Sequence, residues 1–157
     1  MAELGLDPHL GRLIEAFNDH DIDRYIDQYS EDLVFRDPLT DEATREELRE
    51  EVLELFEGFP DARIEPDSAV SSGDETALEM AFVGTHEGPY KGIPPTGEHA
   101  EVPAVMVTRI AEDGISYRRD YWDLQGYKEE LGLTFPAVLR RVPRFAVWTL
   151  EERLSGF

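Results

Sequence analysis

Gly58 and Pro60 divide this chain into two textures, and that division limits the fold more than any single motif does. Before them apolar residues recur every three or four positions, the period of helices; after them apolar and polar residues alternate, the period of strands. Asp7-Pro8 supplies an N-cap and a proline at the first helical position, and Leu10, Leu13, Ile14 and Phe17 then make one buried face. Asn18-Asp19-His20-Asp21 breaks this helix. Ile22, Tyr25, Ile26 and Tyr29 share a face of a second helix ending near Ser30, and residues 33–39 read as a short strand with Leu33, Phe35 and Asp37 on one side. Thr44 and Glu47 are spaced as a capping box for a third helix, whose stripe runs through Leu48, Val52, Leu55, Phe56 and Phe59.

Strands are predicted over residues 62–70, 76–85, 99–110 and 115–123. Ser71-Ser72-Gly73-Asp74 and Glu112-Asp113-Gly114 are tight hairpin signals between them. Helices first and a strand meander second predict an α+β domain, with the helices on one face of a curved antiparallel sheet. Residues 133–157 follow as a basic and apolar extension, with Arg140, Arg141, Arg144 and Arg153 set among Val142, Phe145, Leu150 and Phe157. Its expected place is against the same domain or across a dimer interface rather than on a membrane, because the remaining surface is anionic. Residues 1–132 are expected to form the domain proper, of ordinary size for 157 residues.

Composition excludes several functions. There is no cysteine, which removes disulfides, thiolate metal sites and cysteine nucleophiles. The net charge of −20 opposes nucleic acid and anionic membranes. Only Lys91 and Lys128 are lysines among 15 basic residues, and the 35 acids are dispersed. Dispersed acid with scarce lysine suits a halophilic surface, since at about 1 M salt the Debye length is roughly 3 Å and self-repulsion is screened. The first dozen residues include Glu3 and Asp7 and lack the apolar run of a signal peptide, and no stretch approaches membrane-spanning length, so the cytoplasm is the expected location.

Two segments carry candidate chemistry. In Arg118-Arg119-Asp120-Tyr121-Trp122-Asp123, alternation puts Arg118, Asp120 and Trp122 on one face and Arg119, Tyr121 and Asp123 on the other, without deciding which faces inward. An inward Asp120 beside Arg118 would be raised by burial and lowered by the guanidinium, a carboxylate poised for acid/base work; the same residues could equally form a structural ion pair. Asp37, before Pro38, is a second candidate carboxylate or an ordinary turn signal. GTHEGPYKGIPPTG, residues 84–97, has no phosphate-binding fingerprint; its glycines and prolines fix a long connection on which Tyr90, Lys91 and Ile93 could form a lid. His86 at its start is a proton carrier or a hydrogen-bonding loop residue. His99 and Glu101 lack a third convergent ligand, so no metal is expected.

The run GTHEGPYKGIPPTGEH, followed by Arg109-Ile110, Asp113-Gly114-Ile115, Asp120, Asp123 and Leu131-Gly132, resembles the SnoaL-like polyketide cyclases, or ester cyclases, of the nuclear transport factor 2-like superfamily, from about Leu13 to Gly132. The resemblance implies a cone-shaped, cystatin-like α+β fold whose curved antiparallel sheet and amino-terminal helices enclose a pocket. It implies an intramolecular aldol-type ring closure on a hydrophobic, carbonyl-bearing small molecule, without metal or organic cofactor, with Asp120 as acid/base and Arg118 its partner. It selects the Arg118, Asp120 and Trp122 face as inward. Asp37, His86, Tyr90, Ala104, Met106 and Trp122 would line the pocket, Ala104 and Met106 standing where characterised cyclases place polar residues. The superfamily offers alternatives: a non-catalytic lipid or aromatic-metabolite binder, a ketosteroid isomerase with its base at a position like Asp37, or a small epoxide hydrolase. A homodimer through the exposed sheet face, near Val105 and Val107, is expected.

Overall fold

The computed structural model describes residues 4–155. Phe157 lies outside the described residues, as do the side chains of Leu150 and Arg153. The order is α1 (Pro8–Asn18), α2 (Ile22–Ile26), β1 (Tyr29–Asp37), β2 (Thr40–Ala43), α3 (Arg45–Gly58), β3 (Arg63–Ser72), β4 (Glu75–Thr85), β5 (His99–Ala111), β6 (Gly114–Trp122), α4 (Leu124–Glu130), a 3-10 turn (Ala137–Arg140) and α5 (Val142–Ser155).

The first three helices start where their cap chemistry places them. Asp7 accepts from the His9 N–H at 2.8 Å, and Asp21 accepts from the Arg24 N–H at 3.1 Å. The capping box of α3 is complete: Thr44 Oγ1 accepts from the Glu47 N–H, and the Glu47 carboxylate accepts from the Thr44 N–H. α2 stops at Ile26, short of the expected end, because Tyr29 and Ser30 already belong to β1. The Ile115 N–H bonds the Gln28 carbonyl at 2.9 Å there, drawing the chain out of the helix and onto β6. Gly114 has to be glycine at this crossing: its φ is +137°, and a Cβ would stand 2.6 Å from the Gln28 oxygen. His20, half-buried, ties the helix break after α1 to the sheet side: its Nε2 meets the Ala62 carbonyl at 2.7 Å and its ring stacks on Phe56.

Six strands form one sheet in the order β2-β1-β6-β5-β4-β3. All neighbouring pairs are antiparallel except β1 with β6, which is parallel. That exception is topological: the helix-to-strand passage brings β1 in beside the last strand of the meander, after four strands whose directions alternate. β2, a short edge strand absent from the sequence expectation, folds back on β1 through an Asp37–Leu39 turn. Along β5 the even-numbered residues from Ala100 to Thr108 are buried, and along β6 Arg118 and Asp120 are buried while Arg119 and Tyr121 are exposed. The inward face of the sheet meets α1, α2 and α3 in one core that includes Leu10, Leu13, Phe17, Leu48, Ile64 and Leu78.

The extension beyond Leu131 touches the domain through Arg141. Its Nη1 donates to the Thr96 carbonyl at 3.0 Å, its Nε to the Gly132 carbonyl at 3.1 Å, and its Nη2 to Glu98 at 2.7 Å. Phe135, Leu139, Val142 and Val147 on the extension are exposed.

Candidate active site

Between the sheet and α3 lies an apolar cavity that opens to solvent. Phe17 and Tyr25 from α1 and α2, Leu48, Val52 and Leu55 from α3, and Phe35, Phe82, Val102 and Trp122 from the strands make up much of its wall. Leu55 stays only half-buried on α3 because it faces this space rather than a packed neighbour.

Arg118 and Asp120 stand side by side on the wall, two residues apart on β6 and each about 3% exposed at the side chain. Arg118 donates to both carboxylate oxygens, from Nε to Oδ1 at 2.9 Å and from Nη2 to Oδ2. Its Nη1 donates to the hydroxyls of Tyr25 and Tyr29, the latter at 2.6 Å, and Tyr29 in turn donates to Tyr25 at 3.0 Å. The guanidinium face lies over the Phe35 ring. A charge this deeply placed persists only when paired and hydrogen-bonded, and four hydrogen bonds to three residues accomplish that here. Burial pushes the Asp120 carboxyl above the ordinary carboxylate value; Arg118 opposes this without cancelling it, and Asp37 adds to the rise. Burial likewise lifts the phenols of Tyr25 and Tyr29, so both stay neutral.

Asp37, Tyr90 and Trp122 also line the cavity. Asp37 closes the turn into β2 by accepting from the Leu39 N–H at 2.8 Å while facing the same space as Asp120. Tyr90 reaches the cavity from the loop between β4 and β5, where a two-way backbone bridge with Ile93 makes a tight turn at Lys91 and Gly92. The loop is fastened to the end of α3: the Glu87 and Gly88 N–H groups both donate to the Gly58 carbonyl at 3.0 Å.

His86, Ala104 and Met106 do not line the cavity. His86 is fully buried behind Phe59, on which its ring stacks, and it ties the loop together: its Nδ1 accepts from the Thr96 N–H at 3.3 Å and meets the Thr96 hydroxyl at 3.1 Å. The proton therefore sits on Nε2. Ala104 and Met106 lie between their cross-strand neighbours in the sheet, Ala104 beside Trp122 and Met80, Met106 beside Asp120 and Leu78. Residues that alternation alone did not single out complete the wall: Tyr25 was read as a core residue of α2, and Glu51 and Tyr127 carried no motif. Glu51 is held by the Thr40 hydroxyl at 3.2 Å, and burial raises its carboxyl. Among the described residues no three histidine, aspartate or glutamate side chains converge as metal ligands, and no helix is long and apolar enough to cross a membrane.

A curved sheet closed by three helices over an apolar cavity is the architecture of the cone-shaped α+β proteins. Within that class the chain belongs to the SnoaL-like polyketide cyclase family, whose family model matches residues 9–131. Among solved structures, AclR from Streptomyces galilaeus is 22% identical with a TM-score of 0.72, over 80% of this chain and 94% of that one. TsrD from Streptomyces laurentii is also 22% identical with a TM-score of 0.72, over 82% and 99%. A protein from Catenulispora acidiphila with a ketosteroid isomerase-like fold, in complex with trimethylamine, is 19% identical with a TM-score of 0.68, over 83% and 95%. These likenesses concern the fold. No curated protein matches the sequence.

Proposed function

We propose that the chain is a cyclase-type enzyme that performs acid/base chemistry on a hydrophobic, carbonyl-bearing small molecule without a cofactor. Asp120 is its general base and acid, and Arg118 the residue that positions it. The observation that carries this reading is the raised, buried carboxyl of Asp120 on the wall of an apolar cavity. A carboxylate so placed is a better base than one in water, and the dry walls strengthen its interaction with developing charge. It would take a proton from carbon next to a carbonyl, giving an enolate. The enolate carbon would bond to a second carbonyl carbon of the same molecule, and the resulting alkoxide would recover the proton from Asp120. Arg118 keeps the carboxylate fixed throughout and spreads the charge it shares with Tyr25 and Tyr29.

Deuterium incorporation next to the carbonyl of aromatic 1,3-diketones in D2O, followed by NMR, tests this. Asp120→Asn is expected to slow enzyme-dependent exchange by about 10²- to 10⁴-fold while the near-UV circular dichroism stays native. Exchange at the wild-type rate in that variant removes Asp120 from the chemistry, and loss in Asp37→Asn instead points to the isomerase alternative.

A second reading, a binding protein without turnover, is favoured by one observation. Arg118 engages both Asp120 oxygens, and the cross-strand neighbours Met106 and Ala104 offer no polar help. Saturable binding of the same diketones with no exchange would select it.

The setting we propose is a cytoplasmic homodimer adapted to salt, paired through the outward sheet face that carries Val105, exposed, and Val107, half-buried. Residues 133–157 are proposed as an extension held on their own domain, a reading supported by the three bonds of Arg141.

A further inference from the structure

Four buried side-chain polar atoms lack a hydrogen-bond partner among the described residues: Arg36 Nε, His86 Nε2, Thr108 Oγ1 and Tyr127 Oη. Only Tyr127 also lines the cavity. Its position is built rather than incidental. The Asp123 side chain caps α4 at the Gln125 N–H, the fully buried Leu131 pins the end of the helix, and the Tyr127 ring meets Trp122 edge-on with centroids 5.6 Å apart. A phenylalanine would make those ring contacts without burying a hydroxyl, and buried hydroxyls are rarely left unpaired in folded chains. Tyr25 and Tyr90 are the other phenols of the wall, and Tyr25 differs in that its oxygen already accepts from Arg118 and Tyr29.

We propose that the Tyr127 hydroxyl donates a hydrogen bond to an oxygen of the bound molecule and so decides which molecules the cavity takes. This rests on the small-molecule reading of the cavity but not on Asp120 acting as a base. Burial keeps the phenol protonated well beyond neutral pH, so it donates throughout the working range. Asp120 and Trp122 are two residues apart on one strand face, roughly 7 Å along it, and the Tyr127 ring packs edge-on against Trp122. The two polar points thus address different parts of one ligand. The class selected is an apolar, aromatic-sized molecule with an acceptor oxygen, a carbonyl or an ether, held at Tyr127, and a reactive carbonyl at Asp120. A hydrocarbon of the same shape would leave the phenol unpaired and be rejected.

The test compares 2-acetonaphthone with 2-ethylnaphthalene, a pair that differs by the carbonyl oxygen, by titrating tryptophan fluorescence, together with the infrared carbonyl stretch of the bound ketone. Wild type is expected to prefer the ketone by about tenfold, the value of one net hydrogen bond, and to lower its carbonyl stretch relative to the ketone in hexane. Tyr127→Phe should abolish both the preference and the shift while still binding 2-ethylnaphthalene. Both readouts report binding without turnover, which separates this inference from the acid/base reading: unchanged exchange in Asp120→Asn overturns only the latter. The inference is overturned if neither compound binds saturably, if Tyr127→Phe weakens both ligands equally, or if the carbonyl shift survives in Tyr127→Phe and disappears in Tyr25→Phe.

Discussion

Met106 stands directly opposite Asp120 in the β5–β6 pairing and is fully buried, so a thioether, not a hydrogen-bond donor, is the carboxylate's cross-strand neighbour. Among the described residues the carboxylate therefore depends on Arg118 alone for charge-stabilising hydrogen bonds. Met106→Gln would bring an amide donor to it. A hydrogen bond to a charged group is worth about 1.5–3 kcal/mol, so the Asp120 pKa is expected to fall by about one to two units in a carboxyl carbon NMR titration. An unchanged titration would mean that the amide does not reach the site.

Arg118 serves one carboxylate and two phenols at once, a task that matches the planar fork of a guanidinium and not the single point of an ammonium. Arg118→Met leaves Asp120 buried and unpaired, which costs about 3–5 kcal/mol. Arg118→Lys is expected to recover less than half of that in urea denaturation. Full recovery would show that charge, not geometry, holds the pair.

Burial, helped by Arg141, holds His86 below the ordinary histidine value. An unfolded chain takes up that proton near pH 6.5, and the folded chain does so only lower, so the unfolded state binds more protons in between. Stability from this residue is therefore complete above about pH 6.5 and declines below it, with a limiting slope of about 1.4 kcal/mol per pH unit. Urea titrations at pH 7.5 and 5.5 should show a smaller difference for His86→Gln than for wild type. Equal differences would remove His86 as the source.

Gly88 and Gly92 share a loop but not a constraint. A Cβ on Gly88 would lie 2.1 Å from the Glu57 carbonyl oxygen, backbone against backbone, whereas Gly92, at φ +73°, has open space around it. Gly88→Ala is expected to cost about 3 kcal/mol or more and to weaken ligand binding through displacement of Tyr90. Gly92→Ala should cost only about 1–2 kcal/mol for its left-handed backbone. Thermal melts of the two variants check the order.

With −20 charges on each chain, the homodimer we propose should persist in molar salt and separate at low ionic strength. Light scattering that shows the reverse would refute it.

Much of this architecture was legible in the residues because local chemistry announces it. The Asp7 cap, the Thr44–Glu47 box and the two hairpin glycines place their elements within a residue or two. Tyr29 was read onto α2 because its helical spacing is genuine; a long-range bond from Ile115 to Gln28 overrides it. β2 was missed because Thr40-Asp41-Glu42-Ala43 carries little strand propensity and depends on its partner β1. The cavity residues divide in the same way. Alternation narrowed β6 to two faces, and the family resemblance chose between them. The strand-end place of His86 left a proton carrier or a hydrogen-bonding loop residue open, and the pocket was expected from the resemblance; the backbone of the loop turns its ring behind Phe59. Tyr127 gave no signal, since a single phenol in LQGYKEE looks like any surface helix residue until Trp122 is beside it.

The parallel contact between β1 and β6 bears on how the chain assembles. Arg118 meets Tyr29 and Tyr25 across 89 and 93 residues of sequence, so neither phenol can reach its guanidinium until the whole meander has formed and closed back on the helices. Contacts so distant in sequence form late and slowly. The cavity wall thus has no partly folded version: a nascent chain that has not yet extended through β6 carries the helices, the loop and Asp37, but not the pair on which its chemistry would depend.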